Sequence, residues 1–190
     1  FASPNAYLSL MAGKDLEDKL GFKFNIKLAL LGGIFKLTNN QPPMVAFAGI
    51  KNKLDYDGIE MQRFINKHNL SRFKMNPNFP VITLQIMRAA VVAEKEGFLM
   101  DYVQKITRSM WEREKKMDDP EVIKTEYDHW GFDSSLLMDG MNDPDIKSSL
   151  MDKTSEAVER GVFGIPTFFV GEEMFFGKDR LGQVEEEILK

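Results

Sequence analysis

The sequence predicts an α/β fold in which two strand-bearing segments enclose a large all-helical insertion. Three observations predict it. Residues Phe22 to Leu30 alternate apolar and polar with period two, nothing from about Leu54 to Arg160 reads as strand, and two short β runs appear at Thr167–Val170 and Met174–Phe176. With one strand ahead of Phe1, the layout is a βαβ unit, a helical insertion and a ββα unit. At 190 residues the chain fits one ordinary domain enlarged by an insertion. The expected division places residues 1–50 and 161–190 in the strand-bearing domain and 51–160 in the insertion.

Each element follows from local chemistry. Ser3-Pro4 opens a helix, because serine caps free N–H groups and proline at the first helical position loses no hydrogen bond. Tyr7, Leu8, Leu10, Met11, Leu16 and Leu20 supply its apolar face until Gly21 stops it. In the alternating run that follows, Phe22, Phe24, Ile26, Leu28 and Leu30 face one way, with Lys23, Asn25 and Lys27 opposite. Leu31 to Gly49, with Gly32-Gly33 and Pro42-Pro43, predicts mostly loop with a short turn of helix.

Leu54 to Asn69 forms one amphipathic helix. Another starts at Pro80 and is apolar almost all round from Val81 to Ala93, which places it inside the helical unit. Phe98, Tyr102, Ile106 and Met110 recur every four residues along a third. Shorter helices start near Pro120 and Phe132 and a longer one near Pro144. The two β runs then join through Gly171-Glu172-Glu173, and a last helix runs from about Asp179 with Leu181, Val184 and Ile188 inward.

Composition narrows the function. A hydrophobic fraction of 43%, a charged fraction of 28% and a net charge of −4 with mixed signs fit a globular protein without a nucleic-acid footprint. No apolar run approaches the roughly 20 residues of a membrane span. The chain has no cysteine, which excludes disulfides, a Cys-x-x-Cys redox pair and thiolate metal sites. Any thiol chemistry must use a thiol from outside. His68 and His129 lack partners at metal-ligand spacing, so no metal is expected, and Gly32-Gly33 lacks the spacing of a phosphate loop. The acids at Asp118-Asp119 and Asp143/Asp145 flank prolines and read as helix caps, while Trp111 and Trp130 read as packing residues.

The sharpest local feature is Gly161-Val162-Phe163-Gly164-Ile165-Pro166-Thr167-Phe168-Phe169-Val170. Pro166 cannot donate to a ladder, so it belongs at a first strand position or an edge. An Ile-Pro bond also has only a small trans preference, about 0.5–1 kcal/mol, which tertiary contacts can overcome. A cis bond there turns the backbone groups of Ile165 outward, where they can pair with an extended peptide.

The stretch from Gly161 to Leu181, GVFGIPTFFVGEEMFFGKDRL, resembles the C-terminal signature of 2-hydroxychromene-2-carboxylate isomerases and kappa-class glutathione transferases. These form one DsbA-like branch of the thioredoxin superfamily. Phe1-Ala2-Ser3-Pro4, LLGGIFKLTNNQPP (Leu30 to Pro43), KLDY (Lys53 to Tyr56) and NPNFPVITL (Asn76 to Leu84) resemble further motifs of that branch, in the same order. The resemblance implies a thioredoxin-like domain with a large all-helical insertion, glutathione as cofactor, a small aromatic or electrophilic substrate, and a homodimer. It places Ser3 against the glutathione sulfur. A hydroxyl donor and a helix N-terminus both favour an anion, so the bound thiol's pKa is expected to fall below its usual value of about 8.5.

The resemblance also implies that Ile165 and Pro166 pair with the cysteinyl part of glutathione. Asn40 and Lys53 match residues that close over the tripeptide. Lys178 and Asp179 fall at its γ-glutamyl end. Asp179 matches the acceptor for the ammonium group, its alternative role being to cap the last helix, and Lys178 replaces the small polar residue usual there. Two further departures are Asn5-Ala6, where the family usually has an aromatic residue and then serine, and Leu28, where many relatives carry proline. The implied activity is isomerisation by reversible thiolate addition, bond rotation and elimination. The alternatives are a kappa-type transferase and a non-catalytic glutathione-binding module. No signal sequence is visible, and a cytoplasmic location is expected.

Overall fold

The computed structural model describes all residues 1–190 and contains ten α-helices and one β-hairpin. Helix α1 (Pro4–Leu20) starts as its cap predicts. The Ser3 side chain accepts from the Ala6 N–H, and Gly21 ends the helix at φ 71° with its N–H on the Glu17 carbonyl. The segment from Leu31 to Gly49 holds more helix than expected, with α2 (Leu31–Thr38) and α3 (Pro43–Ala46) separated by a turn at Asn39. The insertion comprises α4 (Lys53–Lys67), α5 (Leu84–Lys95), α6 (Leu99–Trp111), α7 (Pro120–Trp130), α8 (Ser134–Gly140) and α9 (Pro144–Glu159). Asp119, Asp133 and Asp143 cap α7, α8 and α9, each accepting a backbone N–H of the first turn.

Two expected boundaries are corrected. Residues Phe22 to Leu30 form no strand, because no backbone partner runs beside them. Their period two survives as alternating burial, with Phe22, Phe24, Ile26 and Leu28 turned inward and Lys23, Asn25 and Lys27 outward. Side chains supply the missing ladder bonds at two points. The Glu17 carboxylate accepts from the Phe24 N–H at 2.8 Å and the Thr154 hydroxyl from the Leu30 N–H at 3.0 Å. Alternation thus specifies a pleat, while a strand also requires a neighbour. The second correction is α5, which starts at Leu84 and not at Pro80. The Ile82 N–H donates to the Asp118 carboxylate at 3.3 Å, outside any helix.

The hairpin pairs β1 (Thr167–Val170) with β2 (Glu173–Phe176), antiparallel, with Thr167 opposite Phe176 and Val170 opposite Glu173. Gly171, at φ 58°, supplies the positive φ that a two-residue loop needs. A 3-10 turn at Lys178–Arg180 leads into α10 (Leu181–Ile188). Phe24 of the extended segment packs on Phe168 of β1 at 5.8 Å between ring centres.

One apolar core of 25 residues runs from α1 (Tyr7, Leu8, Ala12) through the wholly inward part of α5 to Tyr102, Trp111 and Tyr127 of the insertion. Most of the polar groups buried with it are partnered, Ser9 Oγ on α1 being an exception. Tyr102 donates to the Ile86 carbonyl at 2.9 Å or meets the Tyr127 hydroxyl at 2.8 Å, and burial raises both phenols above their ordinary range. Asn76, from the NPNFP segment, is 2% exposed and donates to the carbonyls of Met110 and Lys115 at 2.9 and 2.8 Å. That segment therefore fastens the end of α6.

Glu126 is the one carboxylate in the core, 1% exposed, accepting from Ser109 at 2.7 Å and from Arg113 at 2.9 and 3.0 Å. Burial pushes its pKa up, but the hydrogen bonds from Arg113 and Ser109 outweigh that, and the carboxyl sits below its usual value. The stabilisation is therefore complete above the unfolded glutamate pKa, about 4.3, and is lost as pH falls through the lower folded value. Glu126→Gln is expected to reduce unfolding free energy at pH 7 by about 1–3 kcal/mol and to flatten the acid limb of stability against pH, both read by urea titration. Gly140 offers a second test. A Cβ there would lie 2.7 Å from Val92 Cγ2, a short, stiff, buried side chain. Gly140→Ala is expected to cost about 1–3 kcal/mol, where an uncrowded helix site would gain about 1 kcal/mol; a raised melting temperature would contradict this.

Candidate functional site

The site is built where the start of α1 meets the loop before β1. As the N-cap of α1, Ser3 holds its Oγ 3.2 Å from the Ala6 N–H, and the hydroxyl donates across to the Ile165 carbonyl at 3.3 Å. Its position is therefore set by two elements 162 residues apart in the chain. The hydroxyl lies at the positive end of a 17-residue helix with no acidic residue in its first turn, so the local field favours an anion.

The facing loop is organised by its carbonyls. Those of Phe163, Ile165 and Pro166 accept from three different places: Asn40 Nδ2 at 2.8 Å, Ser3 Oγ at 3.3 Å and the Gly177 N–H at 2.9 Å. Ile165–Pro166 is cis, and Pro166 itself is buried. The N–H groups of Phe163, Gly164 and Ile165 have no hydrogen-bond partner within the chain. The loop thus spends these carbonyls internally and leaves three of its donors without a partner in the chain. Gly164 cannot readily carry a side chain, since a Cβ would lie 2.8 Å from the Phe176 ring.

The sequence-selected residues do not all converge. Ser3, Ile165 and Pro166 are brought together, and Asn40 joins them as a tether whose side-chain donor is spent on Phe163. Lys53 lies at the start of α4, where it pairs with Asp57 one turn on and sits 5.0 Å over the Phe47 ring; it makes no bond to the Ser3 loop. Asp179 caps nothing: α10 has no side-chain cap, and the Asp179 carboxylate instead holds Lys178 Nζ through both oxygens at 2.8 and 2.9 Å. Gly177 links this pair to Pro166.

Lys178 and Asp179 also wall an open cavity of about 480 Å³ between the C-terminal half of α1, the C-terminal half of α4 and the start of α10. Its nearest α1 residue, Ala12, lies roughly 14 Å along the helix from Ser3 at 1.5 Å per residue. Glu60, Phe64 and His68 line the α4 side. Sequence reasoning missed these three. Glu60 and Phe64 are one helical turn apart on α4, which was a visible signal, but their approach to Lys178 is long-range and no spacing records it. The His68 ring packs tilted against Phe64, 4.3 Å between ring centres, and burial together with the Lys67 charge lowers its pKa. Neither histidine joins a metal-binding group.

Chemically, the Ser3 end can stabilise a thiolate or another small anion through one hydroxyl and free backbone donors. No helix is long and apolar enough to cross a membrane.

Comparison with known proteins bears on the family and the fold. The DSBA-like thioredoxin domain matches residues 1–189. A 2-hydroxychromene-2-carboxylate isomerase of Pseudomonas sp. (strain C18) is 25% identical over 189 residues, covering 99% of this chain and 86% of that protein. That of Pseudomonas putida is 25% identical and covers 97% and 89%. Glutathione S-transferase kappa 1 of Rattus norvegicus is 24% identical, covering 94% and 83%. A solved 2-hydroxychromene-2-carboxylate isomerase structure superposes with a TM-score of 0.84 over 98% of this chain and 90% of that one, at 23% identity, which establishes the shared thioredoxin-like fold with its helical insertion.

The dual bonding of Ser3 makes a stability prediction separate from any activity. Ser3→Ala is expected to lower unfolding free energy by about 0.5–2 kcal/mol through loss of the cap, measured by urea denaturation, while Ser3→Thr stays near wild type.

Proposed function

The chain belongs to the DSBA-like thioredoxin domain family, and from that membership we propose that it is a glutathione-dependent isomerase of the 2-hydroxychromene-2-carboxylate type. The observation that carries the proposal is the Ser3 hydroxyl, held at the N-terminus of α1 against the Ile165 carbonyl in a chain without cysteine. A serine there can only assist a thiol supplied from outside. The isomerases of two Pseudomonas relatives matched over nearly the whole chain support the choice of reaction.

The residues fit a thiol tripeptide at the Ser3 end. The unpartnered Ile165 N–H suits the carbonyl of an extended peptide, and the Ser3 hydroxyl can rotate from the Ile165 carbonyl towards an incoming sulfur. When bound, glutathione supplies a thiolate that adds reversibly to a conjugated, ring-opened substrate, permits rotation about the resulting single bond and leaves again. Ser3 then serves to hold the sulfur as an anion near neutral pH, with the α1 N-terminus adding to that preference. Pro166 and Ile165 fix the tripeptide's course, Asn40 keeps the loop in register, and Lys53 and Asp179 mark its two ends. Positioning and electrostatics are the whole of the protein's contribution, since the bond changes belong to thiol and substrate.

In this reading residues 1–50 and 161–190 carry the glutathione groove and residues 51–160 cover it. Exposed Leu37, Met44, Val45 and Ile50 support assembly as a homodimer, because a run of bare apolar side chains from α2 to the start of α4 is unfavourable in water. A cofactor used as a free thiol suits a reducing compartment, the cytoplasm. Similarity to the rat kappa protein supports a second reading, a kappa-type transferase that leaves the sulfur on an electrophile.

The test is incubation with glutathione and 2-hydroxychromene-2-carboxylate, following the substrate spectrum and total free thiol together. Isomerisation with thiol conserved is the expected result; thiol consumed in step with an electrophile selects the transferase. Ser3→Ala is expected to reduce kcat/KM by about 10²-fold, with Ser3→Thr recovering most of it. Glutathione binding with neither turnover would leave a non-catalytic binding module.

A further inference from the structure

Lys178 is a buried cation that the fold did not have to bury. Its side chain is 7% exposed, although lysine on a surface turn normally extends its ammonium into water. Here the ammonium is turned into a cage. Both oxygens of Asp179 contact Nζ at 2.8 and 2.9 Å, and the Phe64 ring centre lies 5.1 Å away. Glu60, one turn before Phe64, lines the same cavity, and its carboxyl is held low chiefly by Arg63 and Tyr56, with the Lys178 charge adding to the effect. A carboxylate with both oxygens forward and an aromatic face form a recognition site for an ammonium ion, with Glu60 adding negative charge further off.

The chain fills this site with its own side chain. Asp179 keeps 59% of its side chain exposed, and Gly177, two residues before it, bonds the Pro166 carbonyl, so the acid is open to a ligand from solvent. An ammonium arriving there meets an acceptor already neutralised by Lys178 and a like charge beside it. We propose that Lys178 determines ligand specificity: its ammonium occupies the cage of Asp179 and Phe64, so the site takes a thiol peptide whether or not that peptide carries an ammonium at the end nearest Asp179. The inference rests on the glutathione reading above and sharpens it. The substrate class at this end widens to thiols whose γ-glutamyl amine is acylated or missing.

The experiment compares glutathione with its des-amino analogue, glutaryl-cysteinylglycine, by titration calorimetry. Wild type and Lys178→Arg are expected to bind the two within about threefold, a difference below that of one charge-assisted hydrogen bond. Lys178→Ser vacates the cage and is expected to favour glutathione by about tenfold or more. Lys178→Met, which keeps the buried stem and is one atom shorter, reads the same preference if the serine variant folds poorly. Lys178→Ser combined with Asp179→Asn is expected to lose the preference again. A wild type that already favours glutathione tenfold, or a Lys178→Met protein that shows no preference, overturns the role of Lys178 and leaves the glutathione reading intact. Folded protein that binds neither thiol in any variant overturns the glutathione reading and this inference with it.

Discussion

Everything near the site depends on α1 being gripped from two sides. Tyr7 packs against Phe73 at 5.8 Å and donates to Glu112 at 2.9 Å, which ties one side to the helical insertion. Gly13 lies on the other side so close to Phe24 that a Cβ would sit 3.2 Å from its ring. Leu8 and Ala12 are buried between, and Lys19 at the far end pairs with Glu185 of α10. A helix held along its length cannot slide, so its first residue becomes a fixed point. That is why a capping serine can also act as a bridge: Ser3 reaches Ile165 only because α1 cannot drift.

The loop opposite shows the same economy in hydrogen bonds. Three of its carbonyls are committed to α1, to the end of α2 and to the hairpin, while three of its N–H groups are uncommitted. Donors not used within the fold remain open to a ligand, and the N-terminus of α1 favours an anion at Ser3. The absence of cysteine determines how that surface is read. A thiol at position 3 would open disulfide exchange; a hydroxyl there supports the proposed role of stabilising a thiol brought from outside.

Much of this was legible in the amino-acid order, and the exceptions have a common cause. Ser3-Pro4, Gly21 and the capping aspartates act within a turn of themselves, so their roles were readable and appear where expected. The all-apolar run of α5 and the fourfold spacing of Phe98, Tyr102, Ile106 and Met110 likewise describe single helices. Phe22 to Leu30 was read as a strand because period two is local, whereas the neighbour that makes a strand is not. The glycines and prolines of segment 31–49 predict mostly loop with a short turn of helix, yet Ile34, with no exposed surface, gives α2 a core contact that outweighs Gly32-Gly33. Lys53 was selected by motif, and its carboxylate partner four residues on was equally visible. The burial of Lys178 was not, because its cage is assembled from α4.

The surroundings of Ser3 and of Asp179 consequently differ in kind. At Ser3 the fold leaves charge preference unspent: free N–H groups, one rotatable hydroxyl and a helix terminus, all favouring a negative guest. At Asp179 the fold has already spent it, since the acid is matched by a cation from the adjacent residue. Neutralising a partly exposed acid by burying a lysine carries a desolvation cost, and the Phe64 face and nearby Glu60 offset part of it. What remains uncompensated in the unliganded protein is concentrated beside the serine. In the proposed reading, binding energy that depends on charge is therefore focused on the thiol of the bound peptide, where a thiolate has to be formed and held.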